Sequence, residues 1–182
     1  MAQTPLLPPD LRTPAGATRL APSFLRGIAE GLAQSPLWHG LADPTEEGRS
    51  AVRVVRTECY EAWVLGWLPG HSVELHDHGT SDAAFTVVEG SLVEVTLDPH
   101  GRLERRPLGA GDSRLVPSGR RHDVLNLADA PAVSIHVYSP ALTSMTFYDP
   151  IDGEPVRVEP VTDDGAVWPD LAAHRWLHPS RG

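Results

Sequence analysis

The sequence has little of several things that mark common protein classes. It contains one cysteine, Cys59, in 182 residues, so no disulfide can form within the chain. Such usage is typical of a reducing compartment, and we expect a cytoplasmic protein. The first residues lack a basic region followed by an apolar one, so no secretory signal is expected. No run approaches the roughly 18–20 apolar residues of a membrane span, so no membrane partner is expected.

Positive charge is also scarce. The chain has 15 Lys and Arg residues against 24 Asp and Glu residues, a formal net charge of -9. Arg120 and Arg121 form an isolated pair, whereas nucleic-acid binding uses a basic face or stripe. We therefore expect no nucleic-acid partner, and a monomer or weak oligomer that acts on a small molecule.

Turn-forming residues, by contrast, are abundant along the chain. There are 18 prolines and 16 glycines, a distribution that favours many short strands over long helices. From Ala51 onward, about ten short segments rich in branched and aromatic residues are bounded by Pro, Gly or Asp. Strands at this spacing predict an all-β closed antiparallel barrel or sandwich, covering about residues 51–162.

The two ends of the chain have a different composition. Residues 1–22, rich in Pro, Ala and Thr, are predicted to be a flexible N-terminal arm, and residues 23–182 a single domain. Ser23 can cap a short helix over residues 24–34, with Phe24, Ile28 and Leu32 as its apolar stripe. A second short helix is predicted over residues 169–176.

Two of the nine histidines are separated by a single residue. His76 and His78 lie on a predicted strand, where residues i and i+2 point to the same face and Asp77 points the other way. Both imidazoles can then converge on one point inside a barrel. For an isolated pair of this kind, a polar surface strand would be the better explanation.

The spacing of glycines and prolines brings a third histidine to that point. The first half of the pattern comprises Gly70, five residues, His76-x-His78 and later Gly90. The second half comprises Gly111, five residues, and Pro117-x-Gly119-x-x-His122-x-x-x-Asn126. Turn residues at fixed offsets aim His122 at the point that His76 and His78 reach. Together the halves resemble the two motifs of the cupin superfamily, which implies a cupin (double-stranded β-helix, jelly-roll) barrel with a short N-terminal helical segment.

The first half departs from the cupin pattern at one ligand position. Cupins commonly supply a glutamate ligand seven residues before the second glycine, where this chain has Ala83. Strand alternation points the adjacent Asp82 to the opposite face, so we expect no carboxylate ligand. The prediction is a metal site of His76, His78 and His122 alone. Three neutral imidazoles leave coordination positions open and suit Fe(II), although Zn, Ni, Cu or Mn could also bind.

A second group of polar residues lies on one later strand. Ser134, His136 and Tyr138 share a face by the same alternation. A histidine between a hydroxyl and a phenol can act as a hydrogen-bonded relay that orients the phenol over a metal. The alternative is a buried polar trio with a packing role.

With the cupin motifs, the run Ser134-Ile-His136-Val-Tyr138-Ser-Pro resembles the cysteine dioxygenase family of thiol dioxygenases, as does Trp67-Leu-Pro-Gly70 before the first histidine pair. The resemblance covers about residues 51–150. It implies that His76, His78 and His122 bind iron. It also implies that Ser134, His136 and Tyr138 form the catalytic relay.

The family also binds its substrate carboxylate with a strand arginine upstream of the Trp-x-x-Gly segment. Arg53 is the candidate here and Arg56 the alternative. Matching Arg53 to the family's arginine requires the smaller deletion in the turn that follows. A planar guanidinium can hold a carboxylate with two hydrogen bonds. An exposed strand charge remains the alternative role for Arg53.

The chain departs from mammalian members of the family at two positions. Those members carry a cysteine at the position of Ala83 that crosslinks to the tyrosine matching Tyr138, and no such crosslink is possible here. They also carry a tyrosine two residues before the arginine, where this chain has Ala51. The second departure bears on which thiol is the substrate.

The resemblance implies an Fe(II) enzyme that adds both atoms of O2 to a thiol and yields a sulfinic acid. L-Cysteine is the first candidate substrate, and 3-mercaptopropionate or another small thiol carboxylate is the second. A different metal-dependent cupin enzyme and a non-catalytic cupin sensor are the remaining alternatives.

Overall fold

A computed structural model describes residues 18–42, 50–97 and 102–161 of the chain. One helix, α1, spans Pro22–Ala33, and a single 3-10 turn spans Pro36–Trp38. The eleven strands of the described residues are β1 Ser50–Arg56, β2 Glu61–Trp67, β3 His76–Asp77, β4 Asp82–Glu89, β5 Ser91–Leu97, β6 Leu103–Gly109, β7 Ser113–Val116, β8 His122–Leu125, β9 Ala132–Ser139, β10 Ser144–Tyr148 and β11 Pro155–Pro160. The predicted helix over residues 169–176 lies outside the described residues.

The strands form two antiparallel sheets that enclose one core. The five-stranded sheet has the order β1-β2-β9-β4-β7, and the six-stranded sheet has the order β11-β10-β3-β8-β5-β6. Large side chains from both sheets, including Trp63, Phe85 and Phe147, meet between them. This arrangement confirms the predicted all-β class.

The central strands of the five-stranded sheet are buried on both faces because α1 covers their outer side. On β9, Val133, Ile135 and Val137 pack in the helix-side cluster with Leu25 and Ala29 of α1. The alternate residues of β9 point into the barrel. Strands covered on both faces read as continuous buried runs, and all eight residues of β9 are buried.

The start of α1 differs from the sequence prediction. The helix begins at Pro22, with Ala21 as its N-cap and no side-chain cap, because proline suits the first helical position. Ser23 therefore lies inside the helix and does not cap it. Phe24 is 67% exposed, whereas Leu25 and Ala29 are fully buried and the predicted stripe residues Ile28 and Leu32 are partly buried beside them.

The residues before the helix contact the barrel, although they belong to the predicted flexible arm. The Arg19 guanidinium pairs with Asp82 at 3.0 Å and donates to the Thr80 carbonyl. The Leu20 N–H donates to the Ser139 hydroxyl at 2.8 Å. Residues 18–21 are thus held against the loop that follows the first histidine pair.

The predicted strand that carries the first histidine pair is only two residues long in the structure. β3 comprises only His76 and Asp77, while Ser72 makes an isolated bridge to Leu125. Glu74 has a positive φ of 75°, and its N–H donates to the Ser72 hydroxyl at 2.9 Å. This local turn interrupts the extended conformation just before the histidines.

Two motif glycines have conformations that explain their places in the pattern. Gly90 and Gly119 have φ values of 73° and 71°, a backbone conformation that residues other than glycine rarely adopt. A Cβ atom at Gly90 would also approach the Pro131 carbonyl oxygen to 2.6 Å. The glycines therefore set the turns that place the strands of the site.

Candidate metal centre

Three histidines meet inside the barrel. The backbone pairing places His76 of β3 opposite His122 of β8, and His78 follows directly after β3. All three are buried. Each offers one ring nitrogen, and these three nitrogens lie within 4.8 Å of one another. The structure thus brings together the three residues that the sequence spacing predicted as a group.

The hydrogen bonds at the ring edges determine which nitrogen faces the cluster. The Nδ1 atom of His76 donates to the Glu74 carbonyl at 2.8 Å, which leaves the Nε2 lone pair for another partner. The Nδ1 atom of His122 lies 3.2 Å from a carboxylate oxygen of Glu94. Because a carboxylate accepts this bond, Nδ1 of His122 is the donor, and in the neutral ring the lone pair is then on Nε2.

The donor atoms fit a metal ion. The Nε2 atom of His122 is buried and has no hydrogen-bond partner in the described part of the chain. The Nε2 atoms of His76 and His78 lie 3.1 Å apart. Two ligand nitrogens at right angles, each about 2.1 Å from an ion, would lie about 3 Å apart.

The lowered pKa of one histidine also favours metal binding. Burial, with the nearby charges of His76, His122 and His136, lowers the pKa of His78 well below its ordinary value. A neutral imidazole is the form that coordinates a metal. Ala83 and Asp82 contribute no carboxylate: Asp82 accepts the Ser118 N–H at 2.8 Å and pairs with Arg19.

The relay residues lie on the inner face of β9 beside the histidines. The Ser134 hydroxyl lies 2.9 Å from Nε2 of His136, and the Tyr138 hydroxyl lies 3.5 Å from its Nδ1. Phe85 stacks on His136 with ring centroids 4.8 Å apart. The Tyr138 and His78 rings meet edge to face at 5.0 Å, so the relay adjoins the metal-binding cluster.

Trp67 extends this chain of hydrogen bonds. Its indole N–H donates to the Ser134 hydroxyl at 2.9 Å. The buried Ser134 O–H is satisfied if it donates to Nε2 of His136, which places the His136 proton on Nδ1. Nδ1–H then points at the Tyr138 oxygen, and the phenolic O–H can donate to a different group.

Both candidate arginines lie on β1 and pair with the same buried carboxylate. Arg53 is opposite Trp63, its guanidinium 5.3 Å from that ring, and its side chain is 17% exposed. Arg56 is opposite Glu61, and its side chain is 48% exposed. Glu61 lies 3.7 Å from Arg53 and 3.5 Å from Arg56.

Sequence reasoning missed Glu61 and Glu94, two buried carboxylates that contact predicted site residues. Burial raises the pKa of Glu61, opposed by a Trp63 hydrogen bond, the Leu142 N–H and the two arginines. Burial also acts to raise the pKa of Glu94, but hydrogen bonds and charge from His122 and Arg114 leave it below its ordinary value. A signal was present: each glutamate is in phase with inward-facing apolar residues of its strand.

Two further residues lie outside the cluster. His71 is buried in the turn before β3, and its Nδ1 accepts the Leu68 N–H at 3.1 Å. Cys59 is half-buried in the turn between β1 and β2. No helix of the described residues has the length and apolar character needed to cross a membrane.

The fold and the buried three-histidine cluster together define a cupin-type double-stranded β-helix barrel. A solved structure of TT1209 from Thermus thermophilus is similar, with a TM-score of 0.50 and 27% identity over 56% of this chain and 91% of that chain. A conserved protein with a double-stranded β-helix domain from Klebsiella pneumoniae has a TM-score of 0.53 and 19% identity. That match covers 60% of this chain and 91% of the Klebsiella chain.

The family follows from the sequence match. Residues 32–150 match the profile of the family described as cysteine dioxygenase type I, and the chain belongs to this family. Cysteine dioxygenase type 1 of Danio rerio is 31% identical over 100 residues, and the match covers 50% of this chain and 50% of that protein. The chain thus spans about half the length of this curated relative.

Proposed function

We propose that this protein is a mononuclear Fe(II) thiol dioxygenase that converts a small thiol carboxylate, first of all L-cysteine, to its sulfinic acid. The observation that supports this most is the pairing of two groups in one barrel. Three buried histidines form a metal-binding cluster, and the Ser134–His136–Tyr138 strand adjoins it. Membership of the cysteine dioxygenase family supports the thiol as the reacting group.

His76, His78 and His122 would hold the ion through three neutral nitrogens. Iron held in this way supplies open positions for a thiol and for oxygen, and it lowers the pKa of a coordinated thiol. The protein's own contribution is to keep the three lone pairs aimed at one point. Burial of the cluster also excludes bulk water from that point.

Tyr138 would act as a hydrogen-bond donor to the reacting groups. The chain of bonds from Trp67 through Ser134 and His136 reaches the phenol oxygen, so that its O–H can be directed at a ligand. Ser134 and His136 position this donor and do not need to reach the substrate. Ala83, directly opposite Tyr138 on β4, leaves the phenol uncrosslinked.

Arg53 would bind the substrate carboxylate. It lies in one row across the five-stranded sheet with Trp63 and His136, on the face that points into the barrel. Arg56 is more exposed and lies in the neighbouring row with Glu61. The position and lower exposure of Arg53 therefore favour it over Arg56.

The test is oxygen uptake by anaerobically iron-loaded protein, with products identified by mass spectrometry. L-Cysteine is compared with 3-mercaptopropionate, which lacks the amine, and cysteamine, which lacks the carboxylate. We expect cysteine sulfinic acid in equal amount to the oxygen consumed, and little turnover of cysteamine. Metal binding without oxygen uptake for any thiol would contradict the proposal and favour another cupin enzyme or a sensor.

A further inference from the structure

One of the three clustered histidines has a buried carboxylate behind it. Glu94 of β5 is 3% exposed. Thr96, two residues further along β5, pairs with His122 of β8, so the side chains of Glu94 and His122 both point into the barrel. One oxygen of Glu94 lies 3.2 Å from Nδ1 of His122. A carboxylate at this distance holds the imidazole in one tautomer and one orientation.

The other oxygen of the same carboxylate is held from the opposite sheet. Arg114 of β7 donates from Nε to Glu94 at 2.6 Å, the shorter of the two bonds. β7 belongs to the five-stranded sheet and β5 to the six-stranded sheet, so this ion pair connects the two across the core. Arg114 thus fixes one oxygen of Glu94, and the other oxygen is placed to accept from Nδ1 of His122.

The three histidines thus differ in their support. Nδ1 of His76 donates to the neutral Glu74 carbonyl, whereas Nδ1 of His78 is buried without a hydrogen-bond partner in the described residues. Nδ1 of His122 instead contacts a charged carboxylate. A carboxylate behind a ligating histidine raises the basicity of the ligand and restricts its orientation.

We infer that Glu94, held by Arg114, is a positioning residue of the metal centre that aims Nε2 of His122 at the ion and increases metal affinity. The inference rests on the proposed function, because it assigns His122 as a ligand. It identifies a series of contacts, Arg114–Glu94–His122, that runs from the five-stranded sheet to the metal-binding cluster. Within this series, only His122 is a ligand.

The experiment measures the affinity of the apoprotein for Co(II), by competition with a chelator, and for Fe(II) under anaerobic conditions. We expect Glu94→Ala to weaken both affinities about 10- to 100-fold, the usual effect of removing such a partner. Glu94→Gln keeps an acceptor oxygen of the same shape, so it should recover part of the loss. The Co(II) visible absorption of Glu94→Ala should differ from that of the wild type, because His122 is less constrained.

The matched control is Glu104→Ala, an exposed glutamate on the adjacent strand β6, which should leave both affinities unchanged. Thermal unfolding of each apoprotein separates a folding defect from a metal defect. If Glu94→Ala is poorly folded, Glu94→Gln carries the test and should still bind metal several-fold more weakly. Wild-type affinity in both Glu94 variants, whatever their stability, would overturn the inference while leaving the proposed function standing. A wild-type protein that binds neither ion would overturn both.

Discussion

The two sheets of the barrel contribute different parts of the candidate site. The six-stranded sheet carries His76, His122 and the buried Glu94, which together concern the metal. The five-stranded sheet carries the Ser134–His136–Tyr138 relay and Arg53, which concern the substrate. Apart from Arg114, which supports Glu94 from the five-stranded sheet, metal binding and substrate handling should therefore be separable by substitutions in one sheet or the other.

The sheets also differ in how they are covered. The five-stranded sheet lies between the core and α1, so the outward residues of its central strands are apolar. In the six-stranded sheet, most of β6 is exposed. Full coverage explains why the relay strand carries no exposed position, and why its polar residues all need partners inside the protein.

The largest expected effect is loss of metal from a substitution in the six-stranded sheet. His122→Ala removes one of three proposed ligands and leaves a cavity in the cluster, so we expect no stoichiometric iron and no oxygen uptake. Metal analysis of the purified protein measures this directly. His39→Ala, at an exposed histidine, is the control. Full iron content in His122→Ala would show that the ligand assignment is wrong.

The next prediction distinguishes the role of the Ser134–His136–Tyr138 relay from metal binding. Tyr138→Phe should keep wild-type iron content but lower kcat about 10- to 100-fold. This corresponds to one lost hydrogen bond to a charged group, about 1.5–3 kcal/mol. Steady-state oxygen uptake gives kcat, and metal analysis of the same sample gives the iron content. Unchanged kcat would leave the trio with only the packing role.

A smaller effect distinguishes the two arginines. Arg53→Met should raise KM for L-cysteine about tenfold or more, because a charged hydrogen bond to the carboxylate is lost. Arg56→Met, which alters the other cation beside Glu61, should change KM less. Cysteamine lacks the carboxylate, so its KM should respond to neither substitution. A larger KM change in Arg56→Met would exchange the roles of the two residues.

The smallest effect is on stability and concerns the buried Glu61. Burial raises its pKa above the ordinary value of 4.5, so the folded chain holds this proton more tightly than the unfolded chain. Its contribution to stability is therefore fully present below the unfolded pKa and is lost as pH rises through the raised folded pKa. Glu61→Gln lacks this titration and should become more stable relative to wild type as pH increases.

Urea unfolding of both proteins across the acidic to neutral range gives the difference in free energy of unfolding. A difference that does not change with pH, or that changes in the opposite direction, would contradict a raised pKa for Glu61. Arg19→Ala is a useful control, because its ion pair with Asp82 does not involve Glu61 and is partly exposed.

Local patterns in the sequence were enough to predict the elements that hold the site. Alternation placed Ser134, His136 and Tyr138 on one face, and turn glycines at fixed offsets grouped His122 with the His-x-His pair. These predictions succeed because strand period and left-handed turn conformations depend on neighbouring residues. The helix starts at Pro22 because proline suits the first helical position, whereas Phe24 is exposed because packing on the sheet selects which residues are buried.

The sequence by itself determined the all-β class, the family and the group of three histidines. Only the tertiary structure decided which buried charges stand behind them. Glu94 contacts His122, which lies 28 residues further along the chain, and Glu61 accepts a hydrogen bond from the N–H of Leu142, which lies 81 residues away. Such contacts arise from strand order and register across two sheets, and no local period encodes them.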